Sequence, residues 1–232
     1  MGFDKEYLDL VLVPSGALIL FAYHVFLLYK HRIDADSTAI GLENRDKKEW
    51  VQSVVGDSDA YDRAINVISS NTTAATYLAM VSLTLCSVMG TWLIGNTTIS
   101  NMFQSKRIYG DTRPHTIIIK DMILLVCFLV AFSGFVQAAR HFVHANYLMS
   151  SPDNKNYVKK LEFALIKGSD FWLFALRALY FSLIVVFWFF GPIPMFVSSI
   201  LMVLILYYHD IYTVTLRNKY IEPNGQEGSK LI

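Results

Sequence analysis

Charge is what this sequence has least of. Only 17% of its 232 residues are Asp, Glu, Lys or Arg, and the net charge is +1; an average soluble domain carries about 25% charged residues. That shortage argues against an ordinary soluble enzyme and a nucleic-acid binder, and the apolar content against a disordered chain. Cysteine is nearly absent: Cys86 and Cys127 both lie in apolar runs. They read as small buried hydrophobes, so neither a disulfide framework nor a zinc site is expected. Six prolines and twelve glycines leave no collagen repeat and no linker-rich chain. Gly-x-Ser-x-Gly, a Gly-rich phosphate loop, His-Glu-x-x-His and Cys-x-x-Cys are all missing, and no acidic pair lies inside an apolar run to act as an acid/base dyad. Nothing asks for an enzyme, and no cofactor or metal is implied.

What is present is apolar length: 54% of the residues are hydrophobic and 14% aromatic. Leu10–Tyr29, Ala74–Gly95 and Met122–Ala139 each reach the length needed to cross a hydrocarbon core of about 30 Å, and Phe171–Tyr212 reaches twice that. Inside the last run stands Phe190-Gly191-Pro192-Ile193-Pro194. Glycine ends helices and proline opens them, so a tight reversal is expected there. The expected fold is all-α: a polytopic transmembrane bundle of about five spans, near 10–30, 70–95, 120–144, 170–190 and 193–213. If 171–212 is one kinked helix, the count falls to four.

Basic residues choose between the two. Five spans with the N-terminus outside and the C-terminus inside put fourteen Lys/Arg on the cytoplasmic side against five outside; four spans give eleven against eight. The positive-inside rule therefore favours five. Residues 1–221 are read as one transmembrane domain, residues 33–62 as a cytoplasmic amphipathic loop, and 222–232 as a disordered tail. The acidic N-terminus lacks the basic region of a signal peptide. Asn96-Thr97-Thr98 is a sequon on the outer side, too near the membrane to carry weight.

In the cytoplasmic loop Trp50, Val51, Val54 and Val55 have helical spacing. One reading lays this helix in the membrane interface, with Trp50 at headgroup depth and Lys47 and Lys48 toward lipid phosphates. The other packs it on the bundle's own ends. A helix beginning near Ala60 is expected to run unbroken into the second span and project at least two turns. Pro152–Lys167 reads as a further interfacial helix.

Polar residues inside the spans are the functional candidates, because lipid offers them no partners. Asn66, Ser70, Thr73, Tyr77, Thr84, Ser87 and Thr91 make one stripe along the second span, and Ser133, Gln137, Arg140 and His144 make one face of the third. Two readings stay open. In one, Ser and Thr let helices pack closely while Arg140, His144 and Arg177 reach to the interface. In the other, the stripe lines a water-filled path, on the axis of a homo-oligomer since five helices enclose little volume. Its cytoplasmic mouth would carry Arg140, His141, His144 and Arg177, a fixed positive charge favouring anions over cations. Histidines there would make conduction depend on pH between about 5 and 8. His141 and His144 stand at a metal-ligand spacing, but no acidic residue lies nearby and Arg140 adjoins them.

The chain also resembles a known family through an ordered set of motifs: Tyr7-Leu-Asp9, Val11-Leu-Val-Pro14, Tyr23-His24, Leu27-Leu28-Tyr29, Thr38-Ala-Ile-Gly41, Arg45 and Trp50-Val51-Gln52, then Asn71, Cys86-Ser87 and Val126-Cys127-Phe-Leu-Val-Ala131-Phe132. This is similar to the plant and bacterial membrane proteins known as domain of unknown function 599 (DUF599). The resemblance implies a polytopic membrane protein of plant type and brings no activity and no site residue. The functional expectation rests on the residues: an oligomeric channel or transporter for small ions. The alternative is a non-conducting scaffold in plasma membrane or endomembrane whose loop binds a cytoplasmic protein or acidic lipid. A membrane enzyme ranks third and would need His141 and His144 to converge in an enclosed pocket.

Overall fold

The computed structural model describes residues 5–55, 58–94, 113–150, 156–212, 214, 215 and 217. The sequon at 96–98 and the tail at 222–232 lie outside them. The described residues form helices throughout: α1 (Lys5–Ile33), a short 3₁₀ turn (Ala35–Ser37), α2 (Ala39–Val54), α3 (Ser58–Ile94), α4 (Pro114–Ser150), α5 (Tyr157–Phe189) and α6 (Pro192–Tyr207), which runs into a π-helical turn (Tyr208–Tyr212). All but α2 are long and apolar enough to cross a membrane, which makes five.

The reversal between α5 and α6 falls where the sequence places it. Gly191 adopts φ 132°, ψ 169°, a region open essentially to glycine alone, and Pro192 starts the next helix. One kinked helix over 171–212 is thereby excluded, and the helices able to cross number five among the described residues.

The helices stand in a row, α3 against α4, α4 against α5, α5 against α6, and α6 against α1. Small residues let the backbones close in. A Cβ on Gly134 would meet that of Ala175 at 2.9 Å, and one on Gly168 would meet the Phe142 ring at 2.6 Å. Ala75, Ala131, Ala138, Ala145 and Ala175 are fully buried along the same seams. On the other side Gly16 lies against Ser199, with Leu20, Tyr23 and Leu27 continuing that face of α1.

The helices α3 and α4 have 37 residues each, so at 1.5 Å per residue both reach about 55 Å, well past the hydrocarbon core. Their overshoot joins the start of α5 and α2 in a second core, where Val51, Ile68 and Leu161 are among the least exposed side chains. Two expectations change here. The segment read as an interfacial helix over 152–167 is, from Tyr157 onward, the first third of α5. Leu161, Ala164 and Leu165 face the bundle, and Gly168 packs closely on Phe142. And α2 turns Val51 and Val54 onto this core, the second of the two readings offered for that helix. Thr38 caps it, accepting from Gly41 N.

Candidate functional site

The α3 stripe is exposed on the outer face of the row. Ser70, Thr73, Tyr77, Thr84, Ser87 and Thr91 all point away from α4, which instead meets the opposite face at Ala64, Ile68, Ala75, Ala79 and Ser82. The stripe thus makes neither the helix contacts of the first reading nor a path within one chain. Its hydroxyls are satisfied locally: Thr73, Thr84, Ser87 and Thr91 each donate to the carbonyl four residues back, at 2.8–3.0 Å. Gln137 is half-buried on α4.

Arg177 does not join Arg140 and the histidines. Its Nη2 donates to Asp210 Oδ2 at 2.6 Å, and Tyr23 OH donates to the same oxygen at 2.9 Å. Arg177 keeps 16% and Asp210 5% of side-chain exposure. A guanidinium buried among α1, α5 and α6 needs a fixed counter-charge, and the widened turn at Tyr208–Tyr212 supplies it. Arg177 is therefore corrected from a mouth residue to a bundle-internal ion pair.

Arg140, His141 and His144 do come together. They line two adjoining cavities beside α4, of about 590 and 480 Å³. His141 stacks on Phe171 of α5, ring centroids 5.4 Å apart and 13° from parallel. The antiparallel register of α4 and α5 brings Lys159 and Lys160 to the same cleft, together with Asn156 at the start of α5. Asn156 makes no side-chain cap, so the first-turn N–H groups of α5 add the positive end of a helix dipole. Among the described residues no Asp or Glu lines either cavity. The nearest lysine along α5, Lys167, is bound to Asp170 at 3.1 Å, whereas Arg140, His144, Lys159 and Lys160 have no such partner among the described residues. The arrangement can hold an anion. Among the described residues no group of three or more His, Cys, Asp or Glu is placed to hold a metal. Lys159 and Lys160 were missed by sequence reading because only the pairing of α4 with α5 links them to His141.

On α2, Lys47 pairs with Glu43 at 3.0 Å, Trp50 is half-buried against the bundle and Lys48 is exposed. A separate polar group closes the other end of the bundle. Trp188 Nε1 donates to Asp9 Oδ1 at 2.8 Å, and Lys120, 3% exposed, donates to the Trp188 carbonyl at 3.2 Å with its Nζ 5.1 Å from the centroid of that indole.

The family model described as "Protein of unknown function, DUF599" matches residues 11–215. No curated protein and no solved structure matches the chain.

Proposed function

Because the chain belongs to the DUF599 family, whose description assigns no activity, we propose from its geometry alone that it is an oligomeric membrane channel or transporter for small ions, with anions preferred. The α4–α5 cleft is its anion-collecting mouth. The observation that carries the reading is the convergence of Arg140, His144, Lys159 and Lys160, with no acidic partner among the described residues, around half-buried His141. Basic groups gathered around two adjoining concavities raise the local anion concentration. The N-terminus lies outside and the cleft and α2 lie on the cytoplasmic side, the arrangement that puts the larger Lys/Arg set inside. The exposed hydroxyl face of α3 turns toward the axis of a homo-oligomer, where a second chain completes the path.

The scaffold alternative draws less support. The apolar set of its docking loop is packed on the bundle at Val51 and Val54, so α2 has only a charged ridge to offer.

Purified protein in liposomes tests the reading by chloride and nitrate tracer flux. Flux is expected. It should fall several-fold with Arg140→Gln and Lys159→Gln combined, and hold with Lys48→Gln, an exposed α2 position away from the cleft. Folded protein that passes neither anion in either direction removes the proposal.

A further inference from the structure

A crevice of about 620 Å³ opens between α1, α4 and α5, apart from the basic cleft. On α5 its wall is Asp170, Phe174, Arg177 and Phe181, one helical face; α1 gives His24 and His31, two turns apart on one face. The remaining wall is aliphatic, including Leu27, Leu28 and Val130. Three of the four polar side chains have settled roles. Asp170 is paired with Lys167. His24 Nδ1 lies 2.7 Å from the Leu20 carbonyl, so it carries the proton. His31 Nδ1 lies 2.9 Å from Thr38 Oγ1, whose own hydrogen goes to the Ala35 carbonyl, so His31 is the donor there too. Both imidazoles are therefore held with Nε2 free to accept. The fourth side chain is incomplete: Arg177 Nη1 is buried and has no hydrogen-bond partner. A guanidinium donor left without an acceptor in low dielectric costs free energy that a ligand oxygen would recover.

We propose that this crevice binds a single-chain fatty acid, with its carboxyl group at Arg177 and its alkyl chain along the aliphatic wall. One carboxyl oxygen accepts from Arg177 Nη1, matching the guanidinium fork. The acid proton stays on the carboxyl, facing an imidazole Nε2, or passes to it. The Arg177–Asp210 pair is already neutral, so an acid that brings its proton adds no net charge to the site. The volume is that of a site for one small molecule, which suits one acyl chain rather than a two-chain phospholipid. By the rise of α5, Asp170 to Phe181 spans about 16 Å, with about 6 Å of it beyond Arg177 toward Phe181, so the crevice takes the first methylenes and the rest of the chain runs out along the exposed apolar helix surface. The proposal stands whether or not the basic cleft passes an anion.

The test is photolabelling of the full chain in nanodiscs with a diazirine-bearing palmitic acid. Label is expected on the α1 and α5 residues of the crevice, and competed by unlabelled palmitate. Val130→Trp and Ala178→Phe, which fill the space and leave the ion pair in place, should each reduce it at least tenfold with the thermal midpoint held. Leu201→Trp, on an exposed face of α6 away from the crevice, should not. The matching alkylamine, which offers Arg177 no acceptor, should label at least tenfold less. Label spread evenly over lipid-facing positions, label indifferent to Val130→Trp, or an amine that labels as well as the acid would each overturn the proposal.

Discussion

Removing Asp210 leaves a guanidinium inside the bundle with no counter-charge. Arg177 and Asp210 come from different helices, and Tyr23 from a third donates to the same carboxylate. Asp210→Ala is therefore expected to cost about 3–5 kcal/mol, the usual penalty for breaking a buried pair from one side. Arg177→Met with Asp210→Leu should recover most of that loss, since the desolvation of both charges goes with them. Thermal unfolding of the three proteins in one detergent decides it, and a double variant as unstable as Asp210→Ala would refute the assignment. The same pair marks what sequence reading misses. Periodicity finds the polar residues on one helix, and it found Arg140, His141 and His144 as a set. It does not say which helices meet, so Arg177 was grouped with the wrong neighbours and the lysines across the cleft went unseen. The burial of Lys120 went unseen for a like reason: it depends on Trp188, which arrives from the far end of another helix.

Helix ends were more legible than helix partners, because caps and breakers act over a few residues. Gly191-Pro192 closes α5 and opens α6 by backbone geometry alone. Gly191→Ala should destabilise by about 1–3 kcal/mol, since its backbone torsions exclude a side chain, while Pro192→Ala should cost less than about 1 kcal/mol. Comparable thermal midpoints for the two variants would count against this. Where sequence reading ended an interfacial helix at Lys167 and began a span near 170, one helix runs through Gly168, which packs on Phe142; local propensity yields there to a close helix contact. At the end of α6 the bidentate Arg217–Asp46 contact, at 2.7 and 3.1 Å, ties the chain to α2. The guanidinium hydrogen bonds hold the Asp46 carboxyl below its usual range. A lowered native value means the tie is fully present above about pH 4, the ordinary carboxylate value, and is lost as the pH falls through the lowered one. Hydrogen exchange of α2 amides should quicken at low pH, and Arg217→Ala should show the quicker exchange already at pH 7. Identical exchange in the two proteins at neutral pH would mean the tie does not restrain α2.

For the whole molecule the informative relation is that α1 and α6 run the same way. Gly16 lies against Ser199, and seven residues further along α1 Tyr23 reaches Asp210; both positions advance together, as parallel helices require. Asp9 is bound to Trp188 at one end of the bundle, and Asp46 to Arg217 at the other. The start of α1 and the described end of the chain therefore lie at opposite ends, which an odd number of crossings demands. Apolar length and the Gly191 break make five such helices, and the proposed orientation, with the larger Lys/Arg set inside, rests on the positive-inside rule. Cysteine labelling on intact cells reads the outcome. In a Cys86→Ser, Cys127→Ser background, a cysteine ahead of Leu8 should react with an impermeant maleimide, while Lys48→Cys and Arg217→Cys should react only after permeabilisation. The two native thiols are buried, so replacing them should leave the exposed surface unchanged. A chain whose position 48 labels from outside would invert the bundle and move the basic cleft to the wrong side of the membrane. One whose two ends label together would contradict the parallel pairing of α1 with α6 itself, since no tilt of the bundle brings those ends to one face.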